Sequence, residues 1–517
     1  MGGPSGEFEM VDARDISNKQ KQIAVSEFFE KNKHFLGFDS LQRSLITAVK
    51  EAVDNSLDAC EEARILPDIK VEINRQKGDD IELISQDNGP GIPRDAIENV
   101  FGKFLLGSRF HAIRQTRGQQ GIGITGVVMY AQLTTGAKTR VISKIAKESS
   151  AVFVELGLDT RKNKAIKSRE RREVWADENT GEEIAHGLKI STVMKAKYQR
   201  GKQSVFQYLR MTSIVNPHAT ITLIVKDRDG EILEDAKWIR TSEKLPRVVE
   251  EIKPHPHGIQ LGTLQRMLRE SEQNRMTSFL RHNFSGVSVR AAKELLSKSE
   301  IEENRNPKRI NSEDTKRLIY SFQEIKLLPP PTDCLSPIDD LLIKKGLSKA
   351  IDSRFASTVT RLPSVSQGNP FQIEVGLVFG GDLTSDGPIE VLRFANRVPL
   401  MYQQGGCALT KAIESINWKQ YGLDHPGGKG LPKGAAAVLI HLASTNVQFT
   451  SEAKEAVSDN EEVFDEIRKG LLEVGRGLKN HLKKNTQRKK AREKFELVNV
   501  ILPEIAKKTS KILGREV

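Results

Sequence analysis

Two polar side chains stand one helical turn apart in the segment Glu51–Ala59. Glu51 and Asn55 are four residues apart, and Asp58 follows three residues later, so a helix would present all three on one face. A carboxylate so placed can act as a general base toward a water molecule. A carboxamide oxygen can bind Mg²⁺ without adding negative charge beside phosphate groups. Taken alone, this segment is better explained as an exposed acidic helix face.

A second candidate segment is the turn Asp87-Asn88-Gly89-Pro90-Gly91, which follows an apolar run with strand character. Asp87 can accept a hydrogen bond from the amino group of a nucleobase. Gly89 and Gly91 would let the backbone approach a flat ring closely. An ordinary Asn-Gly turn is the alternative.

The third candidate is a glycine-rich loop that leads into a helical pattern. Its members are Gly118, Gln119, Gln120, Gly121, Ile122, Gly123, Ile124 and Thr125. The backbone N–H groups of such a loop, with a helix N-terminus behind them, suit a triphosphate. The glycine spacing also matches the dinucleotide-binding fingerprint, but the polar segment 114–117 precedes it where that fold requires a buried strand. A flexible glycine hinge is the alternative.

Hydrophobic periodicity indicates the elements that would position these segments. Apolar residues recur at helical spacing from Ser40 to Arg64 and again from Gly126 to Leu133. Short apolar runs predict strands at Ile69–Ile73, Ile81–Ile84, Val141–Ile145, Val152–Leu156, Leu188–Val193 and Ala219–Val225. This mixture predicts an α+β sandwich.

The remainder of the chain divides by composition. Lys253–Gly258 and Leu328–Pro331 indicate linkers around a block of mostly helical pattern. Strands are predicted again at Phe371–Phe379, Ile389–Phe394 and Ala436–Leu442, and a helical pattern begins at Glu461. With 517 residues, the chain is therefore predicted to be multidomain.

Charge and composition narrow the function classes. The 80 basic and 68 acidic residues give a net charge of +12, which fits either a polyanionic partner or a well-solvated basic surface. The longest apolar run is far too short to span a membrane, and the polar N-terminus has no signal-peptide pattern. Three widely spaced cysteines predict neither disulfides nor a zinc site. We therefore expect a cytoplasmic protein without a membrane partner.

The order of the three candidate segments resembles that of the GHKL ATPases, which share the Bergerat α/β sandwich. Glu-x3-Asn on a helix, then Asp-x-Gly-x-Gly, then a glycine lid before a helix is the pattern of that superfamily. The resemblance implies ATP and Mg²⁺ as cofactors. One feature departs from it, because Leu188 stands where members usually carry a threonine that assists adenine recognition.

Longer motifs resemble the B subunits of topoisomerase VI, the ATPase subunits of type IIB DNA topoisomerases, over nearly the whole chain. These motifs lie at residues 101–103, 107–110, 117–123, 253–258, 392–400, 418–423 and 449–455. The resemblance implies an archaeal-type enzyme of isomerase class, a DNA topoisomerase of type II that hydrolyses ATP.

Site residues follow from the resemblance. Glu51 would activate the attacking water, Asn55 would bind magnesium and Asp87 would bind adenine. Lys454 would reach the γ-phosphate from another domain; taken alone it is better explained as one surface lysine among many, but the flanking motif reverses that preference. The nucleotide would be surrounded by Asn55, Asp87, Gly89, Gly91, Ser108, Arg109, the loop Gly118–Thr125 and Lys454.

The resemblance also implies a domain division. It comprises an N-terminal arm (residues 1–25), an ATPase region (26–235), a helical region of helix–two-turn–helix type (236–328), an α/β transducer region (329–460) and a C-terminal helical stalk (461–517).

Candidate DNA contacts are Trp418, Lys419 and Tyr421, because an aromatic pair around a lysine can lie against a sugar-phosphate backbone. Packing of the two rings inside the protein is the alternative. The run Arg161–Arg172 is a candidate basic loop facing DNA. The helical region is either a DNA contact or a solvated spacer.

The implied mechanism is a clamp for double-stranded DNA at the nucleoid. ATP binding would pair two copies of the chain, and the stalk would dock the topoisomerase VI A subunit, giving a heterotetramer of two A and two B subunits. The A subunit would make the double-strand break through which a duplex passes, which relaxes supercoils and decatenates DNA. The alternatives are a repair-type GHKL ATPase and a non-hydrolysing scaffold for a DNA-cleaving partner.

Overall fold

The computed structural model describes residues 29, 31–34, 36–104, 113–118, 121–159, 164–177, 180–451 and 454–514. The predicted N-terminal arm and the candidate residues Ser108, Arg109, Gln119 and Gln120 lie outside these residues. None of the described helices combines the length and the apolar character needed to cross a bilayer.

The ATPase region is built on an eight-stranded sheet. The spatial order is β5-β4-β3-β6-β2-β1-β7-β8, and all neighbours are antiparallel except β1 and β7. The strands are β1 (Asp68–Arg75), β2 (Asp80–Asp87), β3 (Thr139–Lys144), β4 (Ala151–Asp159), β5 (Lys164–Glu173), β6 (Gly187–Lys195), β7 (Thr220–Lys226) and β8 (Ile232–Trp238).

Within the described part of this region, the sheet is accompanied by the helices α1 (Leu41–Glu62), α2 (Arg94–Gly102), α3 (Gly123–Thr135) and α4 (Val205–Val215). The Ser40 side chain caps α1 by accepting a hydrogen bond from the Arg43 N–H at 3.3 Å. Leu45, Val49, Val53 and Leu57 recur every four residues and are fully buried against the sheet. The predicted α+β sandwich is confirmed, with α1 lying across β2.

Two expectations for this region need correction. The basic run predicted as a loop is the edge strand β5 from Lys164 onward, and its charges are partly paired, as in the contacts of Glu170 with Arg94 and Lys167. The predicted boundary at residue 235 falls inside β8, which is antiparallel to β7. The sheet therefore continues to Trp238.

The helical region has its own core. Helices α5 (Leu261–Glu270), α6 (Met276–Asn283), α7 (Val289–Lys298) and α8 (Ser312–Glu324) bury a cluster that includes Leu264, Phe279, Leu295 and Phe322. The two predicted linkers contact each other, since His255 Nε2 lies 3.0 Å from the Leu328 carbonyl oxygen. The region is thus closed at its base by a hydrogen bond between its entry and exit segments.

The transducer region contains a second sheet, of order β10-β11-β14-β12-β13 with β9 paired to β11. Its elements are α9 (Asp340–Ala350), β9 (Phe355–Thr360), β10 (Ser364–Ser366), β11 (Asn369–Phe379), β12 (Glu390–Ala395), β13 (Val398–Pro399), α10 (Ala408–Glu414) and β14 (Ala436–Ser444). Strands β12 and β14 are parallel, whereas β11 and β14 are antiparallel.

The chain ends in α11 (Glu461–Leu513), a helix of 53 residues. Its first turns pack on the second sheet through Val463, Ile467, Leu471, Val474 and Leu478, all of which are buried. From Lys483 onward nearly every described residue is exposed. The helical pattern predicted from Glu461 is confirmed as one continuous stalk.

The ATPase and transducer regions share a hydrophobic cluster. Ile214 and Val215 of α4 pack with Ile343 and Leu347 of α9 and with Leu439 of β14. Gly346 brings the two helices together, because a Cβ at this position would lie 2.2 Å from the Ile214 carbonyl oxygen. The two sheets are therefore joined by a packed interface.

We expect Gly346→Ala to destabilise this interface by about 1–3 kcal/mol, since backbone must move to admit the methyl group. The matched control is Gly262→Ala in α5, where a Cβ would meet nothing within 4 Å and helix propensity improves. Thermal unfolding followed by circular dichroism should show a lower Tm for the first variant only. Equal Tm values in both variants would contradict the close approach of α4 and α9.

Candidate functional site

A cavity of about 750 Å³ lies between α1, β2, the N-terminus of α3 and one edge of the transducer region. Most described candidate residues line it: Glu51, Asn55, Asp87, Gly91, Gly118, Gly121, Ile122, Gly123, Ile124, Thr125 and Lys454. Gly89 does not line the cavity, although its N–H is hydrogen-bonded to Asp87. Three segments that are distant in sequence thus meet at one site, together with a lysine from another region.

Glu51 and the start of α3 approach each other closely. A Cβ on Gly123 would lie 1.9 Å from Glu51 Oε2, so only glycine fits there without displacing the carboxylate. Lys50 Nζ lies 3.8 Å from Glu51 Oε1. The carboxylate therefore lies beside the first N–H groups of a helix, where a bound triphosphate would be favoured.

Asp87 ends β2 with its carboxylate held from two sides. Ser56 Oγ of α1 donates a hydrogen bond to Asp87 Oδ2 at 2.6 Å, and the Gly89 N–H donates to Oδ1 at 2.9 Å. Burial raises the pKa of Asp87, while these hydrogen bonds oppose the increase. His186 Nδ1 lies 2.8 Å from the Gly89 carbonyl oxygen and fixes the turn. The carboxylate is thus oriented before any ligand arrives.

A buried hydroxyl lies beside Asp87. Ser85 is two residues earlier on the same face of β2, lines the cavity and is 3% exposed, yet its Oγ has no hydrogen-bond partner among the described residues. Leu188 lies opposite Asp87 in β6 and contributes an apolar wall to the same cavity. Ser85 was not predicted as a site residue from the sequence; its alternation with Asp87 along β2 was the available signal.

Lys454 enters the cavity from the transducer region. Its Nζ donates a hydrogen bond to the Arg117 carbonyl oxygen at 3.4 Å. Burial lowers the pKa of Lys454, as does Lys50, while Glu51 and Asp58 oppose the decrease. A nearby phosphate would reverse this effect by favouring the charged ammonium.

A second contact joins the two regions at the cavity wall. Arg43 of α1 forms an ion pair with the buried Glu455, and its guanidinium lies 5.0 Å from the ring centroid of Tyr402. All three residues line the cavity. No local sequence pattern indicated this contact, since its partners are more than 350 residues apart.

The glycine loop begins at a buried charge. Arg117 donates hydrogen bonds to Asp58 at 2.6 Å, to both oxygens of Glu61 at 2.6 and 2.8 Å, and to Asn216 at 2.6 Å. His218 Nε2 lies 2.7 Å from Glu61 Oε1, an oxygen that Arg117 also contacts, and Arg117 holds the pKa of Glu61 well below its usual range. The described start of the loop is thereby fixed to the helix that carries Glu51 and Asn55.

The structure corrects the prediction for two of the three candidate DNA contacts. Trp418 is fully buried and donates a hydrogen bond from Nε1 to the Ile413 carbonyl oxygen at 2.8 Å. Tyr421 is also buried, against the backbone of Gly475 in α11. Both rings pack in the transducer core, which is the alternative named above. Only Lys419 of the three is exposed.

A magnesium ion would find few protein ligands here. Across the described ranges, no group of three His, Cys, Asp or Glu side chains could hold a metal. Asn55 is exposed toward the cavity and offers one neutral oxygen. This donor set fits Mg²⁺ bound chiefly through nucleotide phosphates and water.

Comparison with known proteins agrees with this geometry. Residues 40–160 match the family described as histidine kinase-, DNA gyrase B- and HSP90-like ATPase, which confirms the predicted GHKL fold. Residues 330–494 match the family described as topoisomerase VI B subunit, transducer.

Relatives named as B subunits of type 2 DNA topoisomerase 6 match nearly the whole chain. The relative from Methanococcoides burtonii is 48% identical over 98% of this chain and 79% of its own length. The one from Methanosarcina barkeri is 48% identical over 99% and 80%. That from Archaeoglobus fulgidus is 47% identical over 97% and 81%. The chain therefore belongs to the family of type 2 DNA topoisomerase 6 B subunits.

Proposed function

We propose that the chain is the ATP-binding and ATP-hydrolysing subunit of a type II DNA topoisomerase. The observation that carries this proposal is the meeting of Glu51, Asn55, Asp87 and the glycine loop in one cavity with Lys454 of the transducer region. A cation supplied from a second region can report whether a terminal phosphate is present. The matched transducer segment does not favour the repair-type or scaffold alternatives.

The orientation of the nucleotide follows from the chemistry of the walls. Asp87, fixed by Ser56 and Gly89, would accept a hydrogen bond from the adenine amino group. The N-terminus of α3 and the described loop residues from Gly118 to Thr125 would hold the triphosphate, with Ser108, Arg109, Gln119 and Gln120 proposed from the sequence alone. Asn55 would hold a magnesium ion, which neutralises phosphate charge when bound.

Hydrolysis would use two side chains. Glu51 would orient a water molecule and accept its proton, a role suited to a carboxylate that lines the cavity near the α3 N-terminus. Lys454 would stabilise the negative charge that develops on the transferred phosphoryl group. Both residues are proposed as catalytic.

Assembly is proposed from the remaining surfaces. The exposed part of α11 carries many apolar side chains, which a partner would cover; we assign this surface to the DNA-cleaving A subunit of a heterotetramer of two A and two B subunits. The side chains are Phe495, Leu497, Val498, Val500, Ile501, Leu502, Ile505, Ile512 and Leu513.

ATP binding would dimerise the ATPase regions of two chains around double-stranded DNA. The protein would be cytoplasmic and associated with the nucleoid. The exposed Lys419 is the remaining candidate DNA contact of its motif. The domain division is proposed as predicted, with the ATPase region extended to Trp238.

We expect Glu51→Gln to lower the ATPase kcat by at least about 100-fold, because the amide cannot accept the proton of water. ATP-driven dimerisation should persist, since the nucleotide contacts remain. The matched control is Glu231→Gln, an exposed residue just before β8. Steady-state hydrolysis with magnesium and DNA measures the kcat. Size-exclusion chromatography in the presence of a non-hydrolysable ATP analogue measures dimerisation. Unchanged hydrolysis in Glu51→Gln would exclude it as the base.

Ser85→Ala should weaken ATP binding by roughly fivefold, corresponding to about one hydrogen bond, without lowering the Tm of the nucleotide-free protein. A hydroxyl without a protein partner stabilises the fold little. Its removal should therefore leave the stability of the nucleotide-free protein unchanged and weaken only the binding of the adenine base. Ser299→Ala is the control, because that buried hydroxyl bonds to the Leu295 carbonyl oxygen far from the cavity. Equal ATP affinity in Ser85→Ala and the parent would show that Ser85 makes no contact with nucleotide.

ATP affinity should fall with increasing pH in the alkaline range. The pKa of Lys454 in the free protein is lowered, and bound phosphate would raise it, so binding takes up a proton between the two values. Affinity is then highest below the free-state pKa and declines as pH rises above it. Titrations of a fluorescent ATP analogue should show this decline in the parent and a flatter profile in Lys454→Arg, which stays charged. Identical profiles would contradict a contact between Lys454 and phosphate.

A further inference from the structure

The strip Gln115–Arg117 lies between the ATPase and transducer regions, immediately before the glycine loop. Its first residue is bonded to the segment that leads into α9. The Gln115 N–H donates to the Cys334 carbonyl oxygen at 3.0 Å, and Gln115 Oε1 accepts from the Ser336 N–H at 2.7 Å. The strip is therefore anchored to the transducer region before it reaches the nucleotide cavity.

The two faces of the strip bond to different regions. On one face the Arg117 guanidinium is held by Asp58 and Glu61 of α1. On the other face, backbone carbonyl oxygens accept hydrogen bonds from the transducer region. The Thr116 carbonyl oxygen accepts from Asn396 Nδ2 at 3.0 Å, and the Arg117 carbonyl oxygen accepts from Lys454 Nζ at 3.4 Å. A displacement of the strip would therefore act on α1 and on two transducer side chains together.

Asn396 is also bonded into the second sheet. Its Nδ2 donates to the Ser444 carbonyl oxygen at 2.9 Å, and its Oδ1 accepts from the Ser444 N–H at 2.9 Å. One side chain thus ties the Thr116 carbonyl to the end of β14.

The transducer residues at this junction adopt an unfavourable backbone conformation. Asn396, Arg397 and Lys454 have φ angles of 47°, 65° and 54°, in the left-handed region that glycine would occupy without strain. The cost is of order 1 kcal/mol for each residue. Asn396 and Lys454 use their side chains to contact the strip, and Arg397 reaches the carbonyl oxygens of Ser336 and Pro337. Glycine would relieve the strain at these positions but has no side chain to make the contacts.

We propose that Asn396 is a positioning residue that couples the nucleotide state of the glycine loop to the orientation of the transducer region. It acts through the Thr116 carbonyl and does not line the nucleotide cavity. This inference rests on the proposed function, in which Lys454 of the transducer region senses a bound phosphate, and it adds that ATP binding reorients that region. Removing the Asn396 side chain leaves the nucleotide contacts intact and releases the strip from β14.

The test measures a distance between the two regions in the full chain. Spin labels are placed at Lys77→Cys, beside β1, and at Lys484→Cys in α11; both positions are exposed, and the native cysteines Cys60, Cys334 and Cys407 are buried. Pulsed dipolar spectroscopy with and without a non-hydrolysable ATP analogue reports the change. Dilution with unlabelled protein removes distances between the two copies of a dimer.

Asn396→Gly is the informative variant, because glycine relieves the left-handed strain while deleting the bonds to Thr116 and Ser444. Asn396→Asp is the second, because it keeps the size and the acceptor for the Ser444 N–H but loses the Nδ2 donor to the Thr116 and Ser444 carbonyl oxygens. The control is Gln367→Gly, an exposed turn residue with a φ of 46°. It removes the same kind of strain away from the junction.

We expect both Asn396 variants to bind the analogue within about threefold of the parent affinity and to lose the nucleotide-induced change in distance. The control should retain it. A full change in distance in either folded variant would overturn the coupling role, as would loss of nucleotide binding, which would assign Asn396 to the binding site instead. If the parent shows no change in distance, the proposed ATP-driven movement itself fails.

Discussion

The burial of the Arg117 charge is the constraint on which the site depends. A guanidinium taken out of water is tolerated only when hydrogen-bonded carboxylates surround it, because removing one partner of a buried ion pair costs about 3–5 kcal/mol. Asp58, Glu61 and Asn216 supply these partners. The requirement fixes the start of the glycine loop against α1 and so fixes where the N-terminus of α3 can lie.

Helical periodicity then explains why the residue that anchors Arg117 and the candidate catalytic residues lie on one helix. Glu51 and Asn55 lie near the middle of α1, and Asp58 continues the same face toward Arg117. Because the helix is rigid, the contacts of Arg117 also fix where the turn that carries Glu51 lies relative to the glycine loop. The close approach of Gly123 to Glu51 is the corresponding constraint from the other side. The residues proposed for magnesium binding and hydrolysis are therefore positioned by a pair of contacts made at different turns of one helix.

The sequence predicted the parts of this arrangement that depend on local spacing. The α1 pattern, the turn after β2 and the glycine loop are short motifs whose order alone indicates a nucleotide site. Contacts made by distant segments left no such signal, as with Arg43 and Glu455. Strand β5 was missed because basic residues occupy both of its faces at the sheet edge. Burial of Trp418 could not be predicted, because an aromatic residue beside a lysine suits either a core or a surface.

The geometry of α11 determines how a small change at the junction would be amplified. The helix is held by the second sheet only over its first turns, up to about Leu482. The exposed remainder of about 30 residues extends roughly 45 Å at 1.5 Å per residue. A tilt of about 5° at the packed end would therefore move the far end by roughly 4 Å. That end carries the exposed apolar side chains from Phe495 to Leu513, so a displacement set by the bond between Asn396 and Thr116 would be delivered to the surface that is proposed to dock the A subunit.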